Sequence, residues 1–279
     1  TCSHQIGGVT IMLAGGYLLE KYGWRYVLAI PGILTIIASF ILFNTIKNSS
    51  AEIGVKQMEN NIDENSSSFK SLVYKLFNSR ELQLLCLANM FAYAIRMGIL
   101  NWAPIFLTQY HGSSSLLMGV QIGFYEAMGL IGTISIGYII DKIFRVNVSI
   151  VGALYMLFFI IFFYLFWQID GKNPWTSMLL MGAIGFIIYI PQIIVGIIST
   201  KISKKSDIGV INGFIGLFGY VGTAIAGIGN ALIVTLYGWN GSFIFFILIG
   251  CIGLITFINL AYFEWVDLKI KKVFNINVL

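Results

Sequence analysis

The chain has 279 residues, of which 58% are hydrophobic and 10% charged, with a net charge of +5. A water-soluble domain carries about 25% charged residues. This composition therefore excludes one and points to a polytopic membrane protein with no nucleic-acid partner.

A helix needs about 20 mostly apolar residues to cross the hydrocarbon core. In chain order the segments that qualify are 3–20 and 26–46, then 82–108, 116–140, 148–168, 175–200, 208–235 and 240–263. Between the second and third lies 47–81, rich in Lys, Glu, Asn and Ser, with its charges balanced. It reads as a solvated linker between two bundles. The expected domains are 1–46 as the end of a first bundle, 47–81 as linker, 82–263 as a six-span bundle and 264–279 as a tail. Alternate loops divide sharply in charge. The linker, 141–147, 201–207 and the tail hold every Lys and Arg except Lys21, Arg25, Arg96 and Lys172. The bias of basic residues toward the inner side then places linker and C-terminus in the cytoplasm, with the chain in the inner (plasma) membrane.

Tyr22-Gly23-Trp24 joins the first two spans and Tyr237-Gly238-Trp239 joins the last two. In the same register Gly7 falls on Gly222. Two homologous halves explain this, each ending in the same hairpin. The second half has six spans, so four more are expected ahead of Thr1, where the chain begins as though cut from something longer. Parallel six-helix repeats with a substrate site near the midplane are the architecture of major facilitator transporters.

The in-span titratable residues are few. Arg96 stands in an otherwise uncharged span, roughly 21 Å along the helix from Leu82 at about 1.5 Å per residue. A cation there costs roughly 2.5–3.5 kcal/mol on insertion scales, and such residues face a bundle interior or an aqueous cavity. Its planar donor fork matches phosphate or carboxylate oxygens. Two readings stand, an anion site and an interhelical tie to Glu126 or to backbone carbonyls. Glu126 is a counter-ion for Arg96, a proton site, or a carboxylate satisfied by neighbouring donors. His4 is an anion donor or a satisfied core histidine. Gly7, Gly8 and Gly15 near its face let a second helix approach.

Asn89, Tyr93 and Arg96 share one helical face. Gly213, Gly216, Gly219 and Gly222 recur every third residue and predict close helix packing or bending. No GK[ST] follows them, which excludes a phosphate-cradling loop. Gly137 precedes Asp141-Lys142, a pattern that predicts close contact and an ionic latch at the cytoplasmic edge. Pro191 predicts a kink or a freed carbonyl beside Tyr189. Cys2 and His4 are too small a set for a metal site. With no cofactor implied and no nucleophile–base pair, the residues give no support to an enzyme.

Several segments together resemble the organophosphate:phosphate antiporters of the major facilitator superfamily. Asn89-Met-Phe-Ala-Tyr93-Ala-Ile-Arg96-Met-Gly98-Ile-Leu-Asn101-Trp102-Ala-Pro104 is similar to their seventh helix, and Cys2-Ser-His4-Gln-Ile-Gly7-Gly8 to their fifth. Phe124-Tyr-Glu126, Asp141-Lys142-Ile-Phe-Arg145, Gly185-Phe-Ile-Ile-Tyr189-Ile-Pro191 and Gly213-Phe-Ile-Gly216-Leu-Phe-Gly219-Tyr220 continue the likeness in collinear order.

The resemblance implies an all-α major facilitator fold whose eight spans are helices 5–12 of 12. It implies exchange of an organic phosphate for inorganic phosphate by rocking of two halves. The phosphate would be held by Arg96 together with a second arginine on a first helix not contained in this chain. His4 would assist, and Tyr93, Tyr189 and Tyr220 would surround the cavity. Glu126 would act in salt bridges that rearrange with substrate. Asn212 and Ile215 stand where hexose-phosphate carriers have an Asp and a Lys, so the chain looks more like the glycerol-3-phosphate carriers. Asn101 stands where those carriers have an Asp, which removes a salt-bridge acid from the coupling network. The alternatives are a hexose-phosphate carrier, a membrane sensor of hexose phosphate from the same family, and an inactive fragment of a split gene.

Overall fold

A computed structural model of the chain describes residues 2–46, 74, 77–142, 147–169, 173–203 and 207–273. Its helices are α1 (Cys2–Tyr22), α2 (Trp24–Thr45), α3 (Arg80–Gln109), α4 (Ser115–Lys142), α5 (Val148–Trp167), α6 (Pro174–Ile202) and α7 (Ile208–Val273). Most of the linker and the last six residues of the tail lie outside the described residues.

The starts of three helices are written in their sequence. Ser79, Asn147 and Asn173 each turn a side-chain oxygen onto an otherwise unbonded N–H of the first turn, at Leu82, Ile150 and Trp175. Pro174 follows Asn173 at the first helical position, where its missing N–H and fixed φ are no handicap. The two Tyr-Gly-Trp hairpins share one backbone solution. Gly23 has φ 87° and Gly238 has φ 66°, a left-handed region that a Cβ disfavours. The chain reverses at each, and at Gly238 it interrupts α7, so that α7 comprises two arms, 208–237 and 239–273. These arms cover the expected spans 208–235 and 240–263.

Six of the described helices are long and apolar enough to cross a bilayer. α1 falls short by composition, since it carries His4, Gln5, Glu20 and Lys21. It is nonetheless packed along α4. Gly16 and Gly119 bring the two backbones so close that a Cβ on Gly16 would lie 2.9 Å from the Ser115 carbonyl oxygen. Glu20 then accepts the Leu116 N–H at 2.8 Å at the start of α4. α2 touches α1 and buries none of its residues.

α3 packs mainly on α7, α4 on α6, and α5 on both α6 and α7. Trp167 donates to Asn240 at 2.9 Å, and the Trp102 and Trp239 rings meet at 6.4 Å. Both contacts lie at the Gly238 end. At the other end Glu264 accepts the Ser149 N–H at 3.0 Å and pairs with Lys201 at 3.4 Å. These contacts tie the ends of α5, α6 and the two arms of α7 at opposite ends of the bundle.

The glycine pattern is only half realised as packing. Gly219 lies against Asn89 and Tyr93, and a Cβ on Gly222 would meet the Met90 carbonyl oxygen at 2.1 Å. Gly213 and Gly216 face open space, as do Gly7 and Gly137. The close contact expected at Gly137 is therefore corrected: that position lines a cavity instead. α6 continues as helix through the buried Pro191.

Candidate functional site

A cavity of about 650 Å³ lies among α1, α3, α4, α6 and the first arm of α7. Its wall includes His4, Tyr93, Arg96, Tyr189 and Tyr220, which the sequence singles out from four separate helices. Arg96 is near mid-length on α3 and only 6% exposed. The other lining groups, such as Gly137, Gly196, Ile197 and Thr200, belong to the linker-side halves of α4 and α6. The cavity therefore runs from mid-depth toward the linker side.

Neutral groups hold the guanidinium. One Nη donates to the Gln192 side-chain oxygen. The plane lies over the Tyr189 ring at 4.4 Å and near the Tyr93 ring at 5.8 Å. Such cation–π contacts are worth roughly 0.5–2 kcal/mol. Gln192 also donates through Nε2 to the Tyr93 hydroxyl at 2.8 Å. The Nε of Arg96 is buried without a partner. Among the described residues the guanidinium makes no ion pair with a carboxylate.

Glu126 is buried at 2% exposure, and the Tyr189 hydroxyl donates to it at 2.5 Å. Of its three readings, satisfaction by a neighbouring donor is the one realised here. Glu126 and Arg96 form no direct ion pair here; Tyr189 stands between them, with its face on Arg96 and its hydroxyl on Glu126. Space for the carboxylate comes from Gly8, where a Cβ would lie 3.1 Å from the carboxyl carbon. His4 is exposed on the cavity wall, and Tyr220 is 68% exposed with its ring 6.2 Å from Tyr93.

Other expected residues fall elsewhere. Asn101 is exposed and outside the cavity wall. The Asp141 side chain of the expected latch lies outside the described residues. Lys142 bonds within its own helix, donating to the Tyr138 hydroxyl at 2.6 Å. Sequence reasoning missed Gln192, Gln5 and Thr133, all in the wall. Tyr189, Gln192, Gly196 and Thr200 follow one helical stripe, the signal that would have found Gln192.

The family pattern described as Major Facilitator Superfamily matches residues 1–226. The chain belongs to the Major Facilitator Superfamily. Among its superfamily relatives is the glycerol-3-phosphate transporter of Bacillus subtilis (strain 168), 29% identical over 273 residues, with 93% of this chain and 61% of the relative covered. A "probable hexose phosphate transport protein" of Chlamydia pneumoniae is 26% identical over 277 residues, covering 92% and 61%. The hexose-6-phosphate:phosphate antiporter of Escherichia coli (strain K12) is 24% identical over 285 residues, covering 92% and 60%. These relatives bear out the resemblance to the organophosphate:phosphate antiporter family and the helical membrane fold that goes with it. The chain spans about three-fifths of the length of these relatives.

Proposed function

We propose that this superfamily member is a secondary transporter that exchanges an organic phosphate, glycerol-3-phosphate, for inorganic phosphate by alternating access. The observation that carries the reading is Arg96: a buried, permanently charged donor fork in the wall of a large cavity, held by an amide and ring faces rather than by a carboxylate. An anion that enters finds a permanently charged guanidinium whose hydrogen-bond partner is a neutral amide. Moving a cation from neutral partners to phosphate oxygens gives charge-assisted, bidentate bonds, which are stronger than neutral ones. His4, Tyr93, Tyr189 and Tyr220 line the same space; His4, Tyr93 and Tyr220 supply further donors, while the Tyr189 hydroxyl is already given to Glu126. Glu126, bonded to the tyrosine beneath Arg96, is placed to feel any change at the guanidinium and so to couple binding to movement of α1 against α4. A ligand shifts such an equilibrium only through differential affinity for the two states. The distribution of Lys and Arg supports placing the linker and tail in the cytoplasm.

The test is exchange of labelled phosphate in proteoliposomes carrying the full-length protein, including the helices expected ahead of Thr1. External glycerol-3-phosphate is expected to drive out internal labelled phosphate. Arg96→Lys is expected to abolish exchange although the charge is kept, because an ammonium cannot reproduce the bidentate fork. Wild-type flux in Arg96→Lys returns Arg96 to a structural role. Tight ligand binding without flux sinks the antiporter and leaves a sensor.

A further inference from the structure

We propose that Gln192 is a positioning residue of the anion site. It holds the Tyr93 hydroxyl with its proton left over for the ligand, so that the anion at Arg96 gains a second donor from the same face of α3. The proposal rests on the reading of Arg96 as the anion site and adds a residue that acts on the ligand through Tyr93.

The direction of each bond follows from counting protons. A guanidinium has N–H donors and no acceptor. The end of the Gln192 amide that meets Arg96 is therefore its oxygen, which settles an orientation that atom positions alone leave open. Arg96 donates to Oε1, and the NH2 group is left for Tyr93, 2.8 Å from the hydroxyl oxygen. An amide NH2 only donates, so Tyr93 accepts. A phenol carries one proton, and Gln192 does not take it. Among the described residues no other acceptor does so.

Tyr93 and Gln192 are both half-buried in the wall of the cavity. Tyr93 has little room to turn away, since a Cβ on Gly219 would lie 3.0 Å from its ring and the Tyr220 ring stands 6.2 Å off. Tyr93 and Arg96 are three residues apart and so are neighbours on one helix face, with the guanidinium 5.8 Å from the Tyr93 ring. Two oxygens of one phosphate take one bond from each.

The other tyrosine beside Arg96 supplies the contrast. Tyr189 donates to Glu126. An ionised carboxylate offers acceptors only, so the Tyr189 proton is taken. A carboxylate at position 192 would take the Tyr93 proton in the same way, and an alkyl chain would leave the hydroxyl unheld. An amide serves the cation with its oxygen and the phenol with its nitrogen, and leaves the phenol's proton free.

The experiment measures binding of labelled inorganic phosphate to the full-length protein in lipid nanodiscs, with Tyr93→Phe made in three backgrounds. In wild type, Tyr93→Phe is expected to weaken binding at least about tenfold, the effect of one hydrogen bond to a charged acceptor. In Gln192→Leu the same change is expected to cost about threefold, because the hydroxyl must first be ordered by the ligand. In Gln192→Glu it is expected to cost nothing, because the carboxylate already holds the proton. Each loss is a ratio within one background, so it does not depend on how far the change at 192 weakens phosphate by itself. A residue that only packs the site gives the same Tyr93→Phe loss in every background. Equal losses in wild type and Gln192→Leu therefore overturn the proposal. If Gln192→Glu binds too weakly to titrate, wild type against Gln192→Leu decides, and Gln192→Met replaces a Gln192→Leu that fails to fold. Absence of phosphate binding to wild type overturns the Arg96 reading and this one together. Phosphate binding that Tyr93→Phe leaves unchanged overturns this one only.

Discussion

At the scale of single residues, the site is unusual in what it withholds from Arg96. A carboxylate, Glu126, is buried close by, yet the tyrosine between them takes both interactions and leaves the guanidinium on neutral partners. A neutral partner is displaced from a cation more readily than an anionic one, because an ion pair must be broken against its own Coulomb energy. Gln192→Glu therefore converts a poised donor into an occupied one. Labelled-phosphate binding is expected to fall at least about tenfold in that variant, and Gln192→Leu, which leaves Arg96 unpaired, is expected to lose less. A Gln192→Glu protein that binds phosphate as wild type does would show that Arg96 is not the anion site. Arg96, Glu126 and His4 were legible in the sequence because a titratable group in an apolar span stands out by its cost. Gln192 and Gln5 were not, since a neutral amide carries no such signal. Nor can one sequence tell that the Tyr189 face meets α3 while its hydroxyl meets α4.

The same distinction holds for whole elements. The spans other than α1 were legible from length and hydropathy, and the hairpins from a repeated tripeptide whose glycine has positive φ in both copies. Period-three glycines identified a helix face but not its neighbour. Gly222 meets the backbone of α3, whereas Gly213, about two and a half turns earlier and on the opposite side of the helix, meets nothing. Helix crossings without a hydrophobic driving force depend on close backbone approach, so these positions should respond with opposite sign. At Gly185 of α6 a Cβ would lie 2.1 Å from the Tyr125 carbonyl oxygen on α4. Gly185→Ala must push the two helices apart and is expected to lower the detergent-solubilised melting temperature by several degrees, a loss of about 1–3 kcal/mol by overpacking. Gly213→Ala adds helix propensity without a clash and is expected to leave the temperature unchanged or raise it. Equal effects at the two positions would mean that the α4–α6 crossing is looser than described.

For the whole molecule, the contacts of α1 define which end of the cavity is shut. At the end of the 110–114 loop, α1 and α4 touch backbone to backbone at Gly16 and Gly119, and Glu20 is bonded to the first turn of α4. Toward the linker the same two helices and α6 diverge around the space lined by Gln5, Gly137, Gly196 and Thr200. On the proposed reading of the chain as an alternating-access carrier, α1 and α4 are closed at the 110–114 end and the cavity extends toward the linker side. Thr200 is exposed on the cavity wall near the linker-side end of α6, and its substitution reports which face has access. In a background with Cys2, Cys86 and Cys251 replaced by Ser, Thr200→Cys is expected to react with a membrane-impermeant maleimide in inside-out vesicles and to resist it in right-side-out ones. Inorganic phosphate should change the labelling rate by shifting the population between open and closed states. That change should vanish when Arg96→Lys is added, because the ligand then has no differential affinity to spend on either state. Equal labelling from both faces would remove the seal at Gly16 and Gly119. Labelling from the opposite face alone would reverse the orientation read from the basic loops.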